Sequence, residues 1–213
     1  MKTSLKKRSQ FYAWVTWLAQ ILANEKQCKY AVSLQTKYKF DKPSSNYDSS
    51  KHDEKVLERA AELHNEGFTV YIEDDNSFKA YSKKFPICVS GKPDIIATKD
   101  NWVIVEDIKT GRRKNSHKMQ VLLYMFLLPL ASETQELCHQ QIPHGRIVYS
   151  DNIVEIPTWE VNQEFKQRLR ELLAIICSAK IPKPTPSIWE CRYCKVPDNH
   201  CPAKTKNNDN LAA

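Results

Sequence analysis

Apolar residues recur at helical spacing over residues 9–27, where Phe11, Trp14, Val15, Trp17, Leu18, Ile21 and Leu22 share one side of a predicted helix that delivers Cys28 at or near its end. The Pro-, Ser- and Asp-rich stretch 40–50, with Lys42-Pro43-Ser44-Ser45-Asn46, reads as a polar loop. A second helix is expected over 52–65, with Val56, Leu57, Ala60, Ala61 and Leu63 inward, Ser49 or Ser50 as cap and Gly67 just beyond its end. The period then changes to two. Residues 69–72 and 79–81, across the turn Asp74-Asp75-Asn76-Ser77, are expected to open a sheet as a meander. Two more apolar runs, one at Ile95-Ile96 and one ending at Lys109, flank Lys99-Asp100-Asn101 and predict an antiparallel hairpin. Helical spacing returns over 115–130, a further hairpin pairs 146–149 with 153–156, and a last amphipathic helix covers about 159–179. Ile181-Pro182-Lys183-Pro184-Thr185-Pro186 is stiff and extended, a strap leading to a polar tail after Lys204. The succession predicts a mixed α/β fold, a central mixed sheet flanked by helices, in three parts: 1–51, 52–180 and 181–213.

At 213 residues the chain is long enough to bury a core without covalent links. Its net charge of +7 favours a polyanionic partner, nucleic acid above all. No apolar stretch approaches the roughly 20 residues that span a bilayer. The start Met1-Lys2-Thr3-Ser4-Leu5-Lys6-Lys7-Arg8 lacks an apolar run and a small-residue cleavage site, so a cytoplasmic protein is expected.

Seven cysteines, an odd number, argue against a disulfide framework in such a compartment. Cys88, Cys138 and Cys177 stand alone in apolar or helical surroundings and read as small buried hydrophobes. Cys191, Cys194 and Cys201 form C-x2-C-x6-C, and Cys28 is the nearest fourth thiolate. Soft sulfur ligands suit zinc or an iron-sulfur cluster. A zinc site from the three C-terminal cysteines and His200 needs no distant partner, but adjacent His200 and Cys201 are awkward as two ligands of one ion.

Asp107 and Lys109 are two apart on a predicted strand, so a carboxylate and an amine leave the same face of the sheet. The hairpin brings Asp94, in Gly91-Lys92-Pro93-Asp94, toward Asp107. Two hard carboxylates with a backbone carbonyl such as that of Ile108 suit Mg²⁺ or Mn²⁺, and His52 would add a nitrogen ligand, with His64 as the alternative imidazole. Lys109 would orient or deprotonate the attacking water, or offset charge developing on a phosphate. Glu106 alternates away from Asp107 and falls outside the metal set. Arg112, Arg113, Lys114 and Lys118 directly follow the strand and suit phosphate contacts.

Pro93-Asp94 and Asp107-Ile108-Lys109 resemble the two signature pieces of the PD-(D/E)XK nuclease superfamily, with Asp at position 107 where Glu is commoner. An early-helix His and the pair Gln120 and Tyr124, i and i+4 on the next helix, are similar to the RecB-like branch, whose motif directs such a pair at substrate or at Lys109. One cysteine before the core and three after it resemble the small iron-sulfur RecB-like exonucleases associated with CRISPR adaptation, the Cas4 family. That resemblance implies a [4Fe-4S] cluster on Cys28, Cys191, Cys194 and Cys201 and metal-dependent cleavage of DNA at single-stranded ends. It also implies integrase or helicase partners, with repair or recombination as other settings for the same motifs. The competing reading is a non-catalytic nucleic-acid-binding module stapled by zinc or a cluster, and a third is redox sensing by the cluster.

Overall fold

The computed structural model describes residues 5–40, 48–187 and 189–204. Most of the expected polar loop, including Lys42 to Asn46, and the tail after Lys204 lie outside them. Along the chain run β1 (Lys6–Lys7), β2 (Phe11–Trp14), α1 (Val15–Leu22), α2 (Lys29–Lys37), β3 (Tyr38–Lys39), α3 (Ser50–Asn65), β4 (Thr69–Ile72), β5 (Phe78–Tyr81), β6 (Ile87–Gly91), β7 (Ile95–Lys99), β8 (Trp102–Lys109), α4 (Asn115–Leu127), β9 (His144–Tyr149), β10 (Ile153–Ile156) and α5 (Gln163–Cys177). The main sheet has the order β10-β9-β8-β7-β4, a second has β2-β6-β5, and β1 pairs with β3. The fold is mixed α/β, as expected.

The hairpin of β7 and β8 turns on Asp100, whose φ of 53° is the left-handed conformation that Asp and Asn tolerate. Beyond it, β8 pairs in parallel with β9, so the chain between them crosses over as α4. The five-stranded sheet is covered on both faces, which is why β8 reads as an almost unbroken buried run. On one face Ile96, Val103, Val105 and Ile147 pack with α1, α4 and α5. On the other, Ile95, Ala97 and Ile108 meet Val56 and Leu63 of α3. A third cluster joins Leu34 of α2 to Val196 and Cys201.

Three expectations are corrected. The first helix is a strand and two helices: Phe11–Trp14 pairs in parallel with β6, and Cys28 precedes α2 instead of ending a long helix. Runs 69–72 and 79–81 do not form a meander, since β4 pairs with β7 and β5 with β6, in different sheets. In α3 the inward residues are Val56, Arg59 and Leu63, while Leu57 is 59% exposed and Ala61 faces solvent. The helical repeat places Leu57 about a third of a turn off the line through Val56, Arg59 and Leu63. Cys88 and Cys138 are buried as expected, and Cys177 is half-buried.

Candidate active site

Asp94 directly precedes β7, and the register Ile95 to Glu106, continued by one residue, sets it opposite Asp107. Each acid is held from a different side. His52, in the first turn of α3, places Nε2 3.3 Å from Asp94 Oδ1, and the Ile108 amide donates to Asp94 Oδ2 at 2.6 Å. Bonding to Asp94 outweighs burial and raises the His52 pKa. His64 is exposed in the last turn of the same 16-residue helix and lies away from this group.

Asp107 is 1% exposed. Its Oδ1 accepts from Gln120 Nε2 at 2.9 Å, and Lys109 Nζ stands 2.5 Å from Oδ2. That Oδ2 is an ion-pair partner without a well-directed hydrogen bond, an acceptor still to be satisfied. Burial raises the Asp107 pKa to about 6, against the pull of Lys109. For Lys109, burial acts to lower the pKa, but Asp107 and Asp94 outweigh it and keep the amine protonated above its ordinary range.

Gln120 also donates to the Tyr124 hydroxyl at 3.0 Å, and Tyr124 in turn donates to the Lys92 carbonyl at 3.1 Å. The i, i+4 pair therefore braces Asp107 and the backbone just before Asp94, and its Gln contact is with the carboxylate instead of Lys109. The Tyr124 pKa is raised far by burial, so it stays a neutral phenol. Gly91 is required beside it: a Cβ there would lie 2.7 Å from Phe78 and 2.8 Å from Tyr124.

Several contributors were not legible beforehand. Asn76, fully buried, donates to the carbonyls of Tyr71, Pro93 and Asp94 at 2.9, 3.3 and 3.4 Å and ties the turn carrying Asp94 to β4. Its turn-like setting disguised this bracing. Glu106 points to the opposite face, as its alternation requires, where Arg59 forks onto both oxygens at 2.9 Å and Arg146 adds a contact at 3.3 Å. Tyr149, paired with Lys109 in the β8–β9 ladder, places its hydroxyl 3.1 Å from His117 Nδ1. Burial, with Lys109 nearby, pushes the His117 pKa down to about 4.

Of the basic segment, Arg112, Arg113 and Lys114 are exposed in the stretch between β8 and α4. Arg113 pairs with Asp151 at 2.7 Å and stacks on Tyr149 at 4.6 Å, and Lys118 pairs with Glu160 at 2.6 Å. Among the described residues no three His, Cys, Asp or Glu side chains are already drawn into a ready-made ion cage. The donor chemistry nevertheless fits a hard divalent cation: two carboxylates from adjoining strands, one of them with an under-satisfied buried oxygen, beside an imidazole.

Cys28, Cys191, Cys194 and Cys201 all line one cavity of about 640 Å³. Charge on Cys28, Cys194 and Cys201 would raise the Cys191 pKa further than burial alone, which places the four thiols within electrostatic reach of one another. Around them Glu190 accepts from the Gln27 and Cys28 amides at 2.8 and 3.1 Å, and Tyr30 donates to the His200 carbonyl at 2.5 Å. The strap thus returns the C-terminal cysteines to the N-terminal segment.

No helix among the described residues is long and apolar enough to cross a membrane. No curated protein matches the sequence. A solved structure, "Crystal structure of SSO0001", is similar at a TM-score of 0.48 and 21% identity, over 92% of this chain and 88% of that one. The family model for the PD-(D/E)XK nuclease superfamily matches residues 8–202, which takes in both acids, Lys109, the Gln120 helix and all four cavity cysteines. The chain belongs to the PD-(D/E)XK nuclease superfamily.

Proposed function

We propose that this nuclease is a Mg²⁺- or Mn²⁺-dependent deoxyribonuclease that degrades DNA from single-stranded ends. One observation carries the reading: Asp94 and Asp107 lie side by side at the end of a β-hairpin with Lys109 against Asp107. Asp94, Asp107, the Ile108 carbonyl and His52 would hold the cation, which supplies an activated water and charge stabilisation on phosphate. Lys109, kept protonated, offsets the negative charge that builds on the non-bridging oxygens and orients the nucleophile. Gln120 and Tyr124 are positioning residues, holding Asp107 and the Lys92 backbone in place. Arg112 and Lys114, with Arg113 and Lys118 released from their acidic partners, meet the backbone phosphates.

The four cavity thiols are the proposed ligands of a [4Fe-4S] cluster with a structural role. Their shared cavity supports this, four thiols being the ligand set that such a cluster takes. Their order around the core supports placement with the Cas4 family, in CRISPR adaptation with an integrase or in repair beside a helicase. The test compares wild type and Asp94→Ala on single-stranded DNA with Mn²⁺. Wild type should shorten the strand and the variant should leave it intact. Strands left intact by both would leave a binding module without catalysis, and equal shortening by both would remove Asp94 from the reaction.

A further inference from the structure

Tyr12 and Trp14 leave the same face of β2, opposite the fully buried Ala13. In the parallel ladder they stand beside Cys88 and Ser90 of β6, and across β6 those two face Tyr81 and Lys79 of β5. One face of the three-stranded sheet therefore presents aromatic and basic side chains, with Trp14 37% and Tyr81 59% exposed. Tyr12 and Trp14 meet edge to face at 5.6 Å, and the Arg8 guanidinium lies 5.2 Å from the Tyr12 ring. Beside them opens a cleft of about 500 Å³ whose nine described lining residues include five aromatics, the cations Arg8, Lys39 and Lys195, and no acid.

We infer that this sheet face and its cleft form a stacking platform for a single-stranded nucleic acid, distinct from the catalytic carboxylates. The inference rests on the nuclease reading for the strand being DNA. Aromatic faces among cations with no acid beside them in the described lining match a ligand that offers flat bases and a charged backbone, and only an unpaired strand exposes its base faces. The topology supplies the direction. β2 and β6 run in parallel, Trp14 is level with Ser90, and the chain continues from Ser90 through Gly91, Lys92 and Pro93 to Asp94. Trp14 thus stands at the end of β6 from which the chain runs on to Asp94. Stacking is indifferent to base identity, so this platform holds any sequence.

The test is fluorescence anisotropy with fluorescein-labelled oligothymidine in chelator, where no cleavage occurs. Trp14→Ala should weaken binding at least about fivefold, the loss of one base stack, while Trp14→Phe stays near wild type. A wholly abasic strand of the same length should bind wild type and Trp14→Ala alike, and a blunt duplex should not discriminate between them. Lys39→Glu, an exposed change that carries the test should Trp14→Ala fold poorly by circular dichroism, should also weaken binding and flatten its salt dependence. Oligothymidine binding unchanged in a folded Trp14→Ala, or, should that variant misfold, unchanged in Lys39→Glu, or an equal loss on duplex, overturns the platform. Wild-type cleavage of the same oligonucleotide with Mn²⁺ is read separately: binding through Trp14 without cleavage sinks the nuclease reading alone, and cleavage with Trp14-independent binding sinks the platform alone.

Discussion

Asp107 shows how burial and a charged neighbour compete at one carboxylate. Its pKa of about 6 stands above the ordinary 3.8 because the group is shut away from water, with Lys109 recovering only part of that cost. The folded state therefore favours the protonated acid. As pH rises from about 4 to about 6 this residue alone subtracts stability, since the unfolded chain ionises first. Cation binding has the opposite dependence, because it needs the carboxylate. Mn²⁺ affinity, followed by calorimetry between pH 5 and 8 (roughly the range bracketing the shift), should fall steeply as pH drops below 6 and still be rising above it, because His52, with its raised pKa, must also give up its proton to ligate. A flat profile would mean that Asp107 does not contact the ion. Asp94, bonded by His52 and the Ile108 amide, reaches its place through partners that the sequence could only partly suggest.

β8 separates two chemistries by alternation alone: Asp107 and Lys109 toward α4, Glu106 and Ile108 toward α3. That division was legible, as was the hairpin, because both depend on local spacing. The fork of Arg59 onto Glu106 was not, for it spans 47 residues and an Arg in a helix reads as solvated. Arg59→Ala should destabilise the protein by about 3 kcal/mol, since it strands a buried carboxylate with only Arg146 beside it, and urea unfolding measures this. Close packing was equally hidden. Gly145 lets α4 approach β9, where a Cβ would lie 2.5 Å from Met125 and 2.6 Å from Val121. Phe11 to Trp14 misled because four residues satisfy helical and alternating periods equally, and a parallel partner 76 positions later decides the outcome.

Two regions with different sequence spans make up the molecule. The proposed site residues other than His52 lie between Asp94 and Tyr124, whereas the thiol cavity draws on both ends of the sequence. The cysteine spacing announced that junction, but Glu190 and Tyr30, which secure it, had no signature of their own. Protein purified without oxygen should contain iron and sulfide in equal amounts, and Cys194→Ser should lose both and melt roughly 5 °C or more lower in calorimetry. Zinc in place of iron would refute the cluster. The Cys28 amide is gripped by a carboxylate 162 residues downstream, a closure whose entropic cost exceeds that of the contact between Gln120 and Asp107 across 13 residues. The clasp on Cys28 therefore waits on nearly the whole described chain, whereas the bracing of Asp107 needs only a strand and the helix that follows it.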